Sequence, residues 1–273
     1  MQNVTDGGGS ERALIASIAQ LRADGWECHV ALGGPALLAE EYRRAGAVIH
    51  FVAMRRLTTS GGPQRWVAFA ATWPFAVLRL ALLARHVRAS VVHTNSLHCW
   101  YGWAAAPLVG KPHVWHAREI VAQSAAALAV ERWLARRYAE RVVAVSTAVG
   151  EQLDPVNVEV VLDSADPERF TPKRAGNFRE AAGISDGVPL VGSVARIDTW
   201  KGFEVLLDAV PYLQVARPDL QLIVAGAPVG GKDRYAADLA RRAASMAGVH
   251  WLGPRDDIPE LMADLDVFVQ VST

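Results

Sequence analysis

Apolar residues recur along this chain at two alternating periods. Leu14, Ile18 and Leu21 share one face of a helix expected over residues 10–24. A short strand-like run at 27–32 follows, then a helical pattern at 37–45 and a second run at 47–52. A long apolar stretch fills 66–84. Beyond it come SVVHT (90–94), HVWH (113–116) and RVVAV (141–145), with helical segments between them, notably 126–140. Short β-rich runs separated by helices predict a parallel sheet covered on both faces.

The pattern breaks after Val161. LDSADPERFTPKRAG holds two prolines, several turn formers and mixed charge, and reads as a linker. Alternation then restarts, with strands expected at 189–194, 220–225, 249–252 and 267–271 and helices at 203–215, 235–247 and 258–263. The expected organisation is a first domain over 1–162, a linker over 163–185 and a partial second domain over 186–273. The loop Gly7-Gly8-Gly9 has no strand-like run ahead of it, and Ser10 is the expected N-cap of the first helix. The run 267–271 has no crossover helix after it. The chain is therefore expected to be cut short at both ends. Its last strand would be exposed and aggregation-prone, and the isolated segment poorly soluble.

Composition narrows the function classes. Lys+Arg and Asp+Glu both number 28, so there is no basic surplus of the kind that coats nucleic acid, and no nucleic-acid partner is expected. Cys28 and Cys99 lack the spacing of a disulfide framework or a zinc site, which fits a reducing compartment. The opening residues carry no apolar leader, and a cytoplasmic location is expected. The stretch 66–84 is interrupted by Pro74 and Arg79 and followed by Arg85, His86 and Arg88. A buried core helix is the first reading. An interfacial helix at the inner face of a membrane is the second, and a membrane span the third.

The most informative segment is VGSVARIDTWKGFEVLLDAV (191–210): a buried strand, a loop with Arg196 and Lys201, Gly202, then an amphipathic helix. In an open α/β sheet, ligands bind at the carboxyl ends of strands. A helix N-terminus there favours an anion, and two cations beside it suit a diphosphate. Taken alone, the two read equally well as ordinary loop charges. His93, Asn95 and His98 follow another first-domain strand and are candidates for shaping a second ligand's side of the site. The His93 and His98 spacing is not that of a metal site, and no metal is expected. A histidine on an apolar strand is usually a core residue; the place of His116 at its strand's end, followed by Arg118 and Glu119, favours a functional role.

SVARIDTWKGFEVLLDA resembles the donor-phosphate motif of glycosyltransferase family 4. GGGSERAL (7–14), HVWHARE (113–119), RVVAVSTAVGEQL (141–153), DPERFTP (166–172), LIVAGAP (222–228) and HWLGPRDDIPELMADLDVFV (250–269) resemble further segments of that family in the same order. The resemblance implies two Rossmann-like α/β domains facing across a cleft, the GT-B fold, with the second domain incomplete here. It also implies transfer of a sugar from a nucleotide-sugar donor to an acceptor hydroxyl, with retention and without a cofactor. The acceptor is left open among glycans, lipids and small molecules. By the same resemblance Arg196 and Lys201 would bind the donor diphosphate, and Gly8, Gly9 and Ser10 would let backbone N–H groups approach phosphate and acceptor. His116 would meet the transferred sugar or phosphate. Arg255 would border the base or ribose, or simply pair with a neighbouring Asp in a solvated turn; both readings stay open. RVVAVSTAVGEQL would supply the strand and helix that close the first domain.

Two departures stand out. Asp163-Ser164-Ala165 replaces the family's usual Asn-Gly turn, and the family's paired glutamates beyond VFVQVST do not occur in this segment. Two rival readings stay open. One is a non-catalytic fragment or pseudoenzyme that only binds a nucleotide or partner, which the missing glutamates favour. The other is a sugar-nucleotide epimerase on the same architecture, which would need its own acid/base carboxylates.

Overall fold

Fifteen residues from Gly9 to Ala23 wind into the first helix, α1, burying Leu14 and Ile18 on one face. The computed structural model describes residues 1–2, 8–56, 62–122, 124–153, 157–172 and 176–272, so Gly7 lies outside the described residues. The chain divides into two compact units, Met1–Ser164 and Ala165–Thr273.

In the first unit α1 is followed by β1 (Cys28–Leu32), α2 (Ala39–Arg44), β2 (Ala47–Phe51), α3 (Pro63–His86), β3 (Val92–Thr94) and α4 (Gly102–Leu108). Then come β4 (His113–Ala117), α5 (Ala125–Tyr138), β5 (Arg141–Ala144), α6 (Thr147–Gln152) and β6 (Val158–Val160). All pairings are parallel: β1 with β2, and β3-β4-β5-β6 in that order. Met1 and Gln2 stand between these two groups. Gln2 N donates to Ala31 O (3.0 Å), Gly33 N to Gln2 O (3.0 Å) and Asn95 N to Met1 O (3.1 Å). The place ahead of the α1 loop, expected to be vacant, thus holds two residues in strand-like pairing, because Gln2 forms a parallel bridge with Leu32. Strand β6 was not anticipated either. It is three residues long with two exposed, too short for a period of two to register.

Alternation along β1 builds the layers. Val30 and Leu32 pack with Leu14, Ile18 and Tyr42 from α1 and α2. Ala31, between them, points the other way and packs with Val77 and Leu80 of α3 and Ala105 of α4. Helices therefore cover both faces, as the periodicity predicts. The first reading of 66–84, a well-buried core helix, holds for one stripe only. Ala76, Val77, Leu80 and Ala81 are buried, but Phe75, Leu78 and Leu82 are 70%, 53% and 57% exposed. The two stripes lie on opposite sides of the helix, and only the small and branched one meets the sheet.

In the second unit α7 (Phe178–Ala182) precedes β7 (Leu190–Val194). A 3₁₀ turn at Thr199–Lys201 leads to α8 (Phe203–Ala216), then β8 (Gln221–Ala225), α9 (Asp233–Ala244), β9 (Val249–Gly253), α10 (Ile258–Ala263) and β10 (Val267–Phe268). Its parallel sheet runs β10-β7-β8-β9. The last part of the expected linker is anchored to this unit's core. Phe178 packs with Leu190, Ile223 and Leu261. Arg179 is held by Asp264 O (3.0 Å), Val188 O (2.9 Å) and Asp266 (2.6 Å). Polar residues dominate the 163–185 sequence, and the one buried aromatic that anchors it gives no periodic signal. Strand β10 is shorter than expected, pairing only Val267 with Val191 and Phe268 with Gly192. Val269 N still donates to Gly192 O (2.8 Å), and Val269 and Val271 pack on the cluster around Phe203 and Leu207.

Candidate active site

The second unit presents two cations at the carboxyl end of β7. Ala195 N donates to Ala225 O (3.1 Å) and Ile197 N to Ala227 O (2.8 Å). Ile197 is 1% exposed, whereas Arg196 between these anchors is exposed. Asp198 then shapes the turn: its carboxylate accepts from Thr199 N (2.8 Å) and Trp200 Nε1 (3.0 Å). Gly202, at φ +67°, ends the 3₁₀ turn and caps α8. The Lys201 ammonium lies 4.0 Å from the Trp200 ring centroid. Partial burial, and then the charge of Arg196, push the Lys201 pKa down. Both cations therefore share one electrostatic neighbourhood at the start of a 14-residue helix. Arg255 forms a two-point pair with Asp257, its Nε 2.7 Å from Oδ1, so the in-loop arrangement is the one its contacts show.

In the first unit the glycine loop leads into α1. Gly8 is the N-cap, extended at φ −72° and ψ 176°, and its carbonyl accepts from Glu11 N (3.1 Å) and Arg12 N (3.2 Å). Ser10 therefore lies inside the first turn and is not the N-cap. The helix starts earlier than the apolar pattern suggests because its first turn needs no apolar residue. A Cβ at Gly9 would meet nothing within 4 Å, so the space beside it is open. Ser10 O accepts from Asn95 Nδ2 at 2.9 Å.

His116 projects from β4 between Trp115 and Ala117, which face the core at 0% exposure. Its ring lies edge-on to His93, 5.6 Å between centroids. Burial, reinforced by the Arg118 charge, lowers its pKa to about 4, so the imidazole is neutral at pH 7. Burial lowers His113 to about 3, and His113 Nε2 lies 2.9 Å from Thr94 Oγ1. His98 belongs elsewhere. Its Nδ1 is 3.1 Å from Glu131 Oε1, which also accepts from Trp100 Nε1 (3.1 Å), and this carboxylate raises the His98 pKa. The structure brings His93 and His116 together and links Asn95 to Arg118, two residues beyond His116. Among the described residues no three metal-ligating side chains cluster.

Glu119, mentioned in the sequence only as a neighbour of His116, ties two loops. It accepts from Ser96 Oγ (2.6 Å), Leu97 N (3.0 Å) and Arg118 N (3.2 Å). Glu131, 1% exposed on α5, was missed altogether. A glutamate inside a helical pattern looks like a solvated residue unless its tertiary partners are known.

A family model described as Glycosyltransferase Family 4 matches residues 7–162, and one for group 1 glycosyl transferases matches 175–273. The chain belongs to glycosyltransferase family 4. The 2-deoxystreptamine glucosyltransferase of Streptomyces kanamyceticus is 28% identical over 236 residues, 77% of this chain and 59% of that protein. A D-inositol 3-phosphate glycosyltransferase of Stackebrandtia nassauensis is 34% identical over 123 residues, 42% of this chain and 28% of that one. The family 4 chain thus spans less than two thirds of the length of these relatives. Among solved structures, Anabaena HepE in complex with UDP superposes at a TM-score of 0.81 with 22% identity, over 100% of this chain and 73% of that one. HepE in complex with UDP-glucose does so at 0.78 with 22% identity, over 99% and 72%. A glycosyltransferase from Rickettsia africae gives 0.75 with 17% identity, over 100% and 71%. These likenesses establish the GT-B fold class, as the motif order implies.

Proposed function

We propose that this family 4 chain moves a glycosyl group from a nucleotide-sugar donor to an acceptor hydroxyl, with retention at the anomeric carbon. The observation that carries the reading is the pairing of Arg196 and Lys201 at the start of α8. The anomeric C–O bond to the diphosphate breaks as a bond to the acceptor oxygen forms, and the acceptor's hydroxyl proton passes to a phosphate oxygen of the leaving group. Negative charge therefore grows on the departing nucleotide diphosphate until that proton arrives. Two fixed cations and a helix N-terminus stabilise that charge more than they stabilise the bound donor. His116, neutral at pH 7, offers a hydrogen bond to the sugar or phosphate without adding charge. Retention rests on the family resemblance. HepE, solved with UDP-glucose, supports a nucleotide sugar as donor. No cofactor takes part in this reading; the donor is a substrate, and the acceptor is a glycan, a lipid or a small molecule. Gly8, Gly9 and Ser10 would let backbone N–H groups approach phosphate and acceptor, a role supported by the open space beside Gly9. Arg255 plays at most a bordering role while Asp257 holds it.

The test is kinetic. Arg196→Ala and Lys201→Ala should each lower kcat/KM by roughly 10²–10³, or about 2.7–4 kcal/mol, as loss of one preorganised donor does in comparable anionic sites. Near-normal turnover in both variants would refute the assignment. Nucleotide binding without transfer would favour the binding-only reading, and interconversion of donor sugars without an acceptor would favour the epimerase.

We also place the chain in the cytoplasm, in peripheral contact with a membrane's inner face through residues 66–84. The support is the exposed apolar stripe of α3, formed by Phe75, Leu78 and Leu82.

A further inference from the structure

Arg118 is among the most deeply held charges of the first unit, and the roles proposed above do not use it. Its side chain is 6% exposed. Nε donates to Asn95 Oδ1 at 2.9 Å. Nη1 donates to both carboxylate oxygens of Asp163, at 2.9 Å and 2.7 Å. Asn95 is fully buried and passes the connection on, donating its amide to Ser10 O (2.9 Å) and to Gln2 Oε1 (3.0 Å). The guanidinium, two residues beyond His116 at the end of β4, thus ties the segment after β3 to the last residues of the first unit, and Asn95 extends the tie to the first turn of α1. Asp163 occupies the place where the family's usual turn has Asn. A carboxylate there forms a charge-assisted bond to Arg118 that a neutral amide cannot match. The departure from the family pattern therefore has a partner in this chain.

We propose that Arg118 is a positioning residue for glycosyl transfer, clamped by Asn95 and Asp163 so that the glycine loop and the start of the interdomain connection are fixed relative to His116. The inference rests on the proposed transferase reading for its kinetic consequence, but its geometric content stands apart. Arg118 is engaged by Asn95 and Asp163 of the first unit, whereas the donor diphosphate is assigned to Arg196 and Lys201 of the second. Weakening the clamp should therefore lower turnover and leave donor affinity alone. The charges facing His116 are Arg118, which depresses its protonation, and Asp163, which favours it; His93 packs against its ring. The two halves of the clamp thus act on His116 with opposite sign.

The test compares Arg118→Met, Asp163→Ala and Asp163→Asn with Arg196→Ala as a control, all in the full chain. Asp163→Ala and Arg118→Met should reduce kcat by on the order of a hundredfold, the scale of a 1 Å misplacement, with donor Kd unchanged. Asp163→Asn, which keeps one acceptor, should recover part of that loss. Amide exchange should quicken at residues 8–12 and 161–166 and stay unaltered in β7. By NMR, the His116 pKa should rise in Arg118→Met and fall in Asp163→Ala. Unchanged exchange and an unmoved His116 pKa would overturn the clamp whatever the activity. If Arg196→Ala abolishes turnover while the clamp variants keep kcat within twofold, the positioning role fails and the transferase reading survives. If the wild-type chain transfers no glycosyl group, the transferase reading fails; if Arg196→Ala and Lys201→Ala are both neutral, only the diphosphate assignment fails. In either case exchange and titration still judge the clamp.

Discussion

A side chain at Gly202 would place its Cβ 2.1 Å from the carbonyl oxygen of Val271. Position 202 links the 3₁₀ turn carrying Lys201 to α8, and it sits in the left-handed region at φ +67°. Both constraints act at once. The left-handed conformation alone costs a residue with a Cβ about 1–2 kcal/mol, and the contact with backbone cannot be relieved by a rotamer change. Gly202→Ala should therefore destabilise the second unit by more than that amount and displace Lys201. Urea unfolding together with donor affinity by calorimetry checks this. A stable variant with wild-type donor affinity would show that the turn tolerates another geometry.

The histidines of the first unit make opposite contributions to pH stability. His116 and His113 titrate at about 4 and about 3 when folded, below the roughly 6.5 of an unfolded chain. Between those values the unfolded state binds more protons, so stability falls as pH drops from about 6.5 toward 4. His98 has a raised pKa through Glu131. Its contribution is fully present below about 6.5 and is lost as pH rises through its folded value. Unfolding free energies measured from pH 4.5 to 8.5 should therefore show a net acid loss. His116→Asn should shallow that slope, and Glu131→Gln should steepen it. A Glu131→Gln profile parallel to wild type would mean that the His98 pair does not form in solution.

Much of the fold was legible because its elements are long and periodic. Leu14 and Ile18 mark α1, and the apolar run at Leu190–Val194 marks β7, without any tertiary information. What escaped depends on partners distant in sequence. Phe178 is one aromatic in a polar stretch, yet it anchors the end of the expected linker in the second core. Ser10 looked like a cap because serine is a good one, whereas the helix begins on the Gly8 carbonyl. Within the site, Arg196 and Lys201 stood out because the strand, loop and helix that hold them are contiguous. Glu131 and the Arg118–Asp163 pair could not, since 33 and 45 residues separate the hydrogen-bonded partners.

The exposed stripe of α3 makes the last prediction. Phe75, Leu78 and Leu82 follow i, i+3, i+7 spacing, so they share a face, and each is more than half exposed. The helix carries Arg65, Arg79, Arg85 and His86 and no acidic residue. An apolar face beside cations is the pattern that seats a helix in the headgroup region, where each fully buried Leu or Phe contributes about 1.5–3 kcal/mol. Each Arg near an anionic surface adds about 1 kcal/mol. The opposite stripe, Ala76, Val77, Leu80 and Ala81, is already committed to the first unit's core, so the helix would not have to leave its sheet to lie on a membrane. The chain should therefore co-sediment with vesicles containing anionic phospholipid, more weakly with neutral ones, and less at high salt. Leu78→Glu with Leu82→Glu should abolish sedimentation without lowering the unfolding midpoint, because neither side chain packs in the core. If wild-type protein ignores anionic vesicles at low salt, the stripe has another occupant. If the double variant still binds, the contact lies elsewhere on the chain.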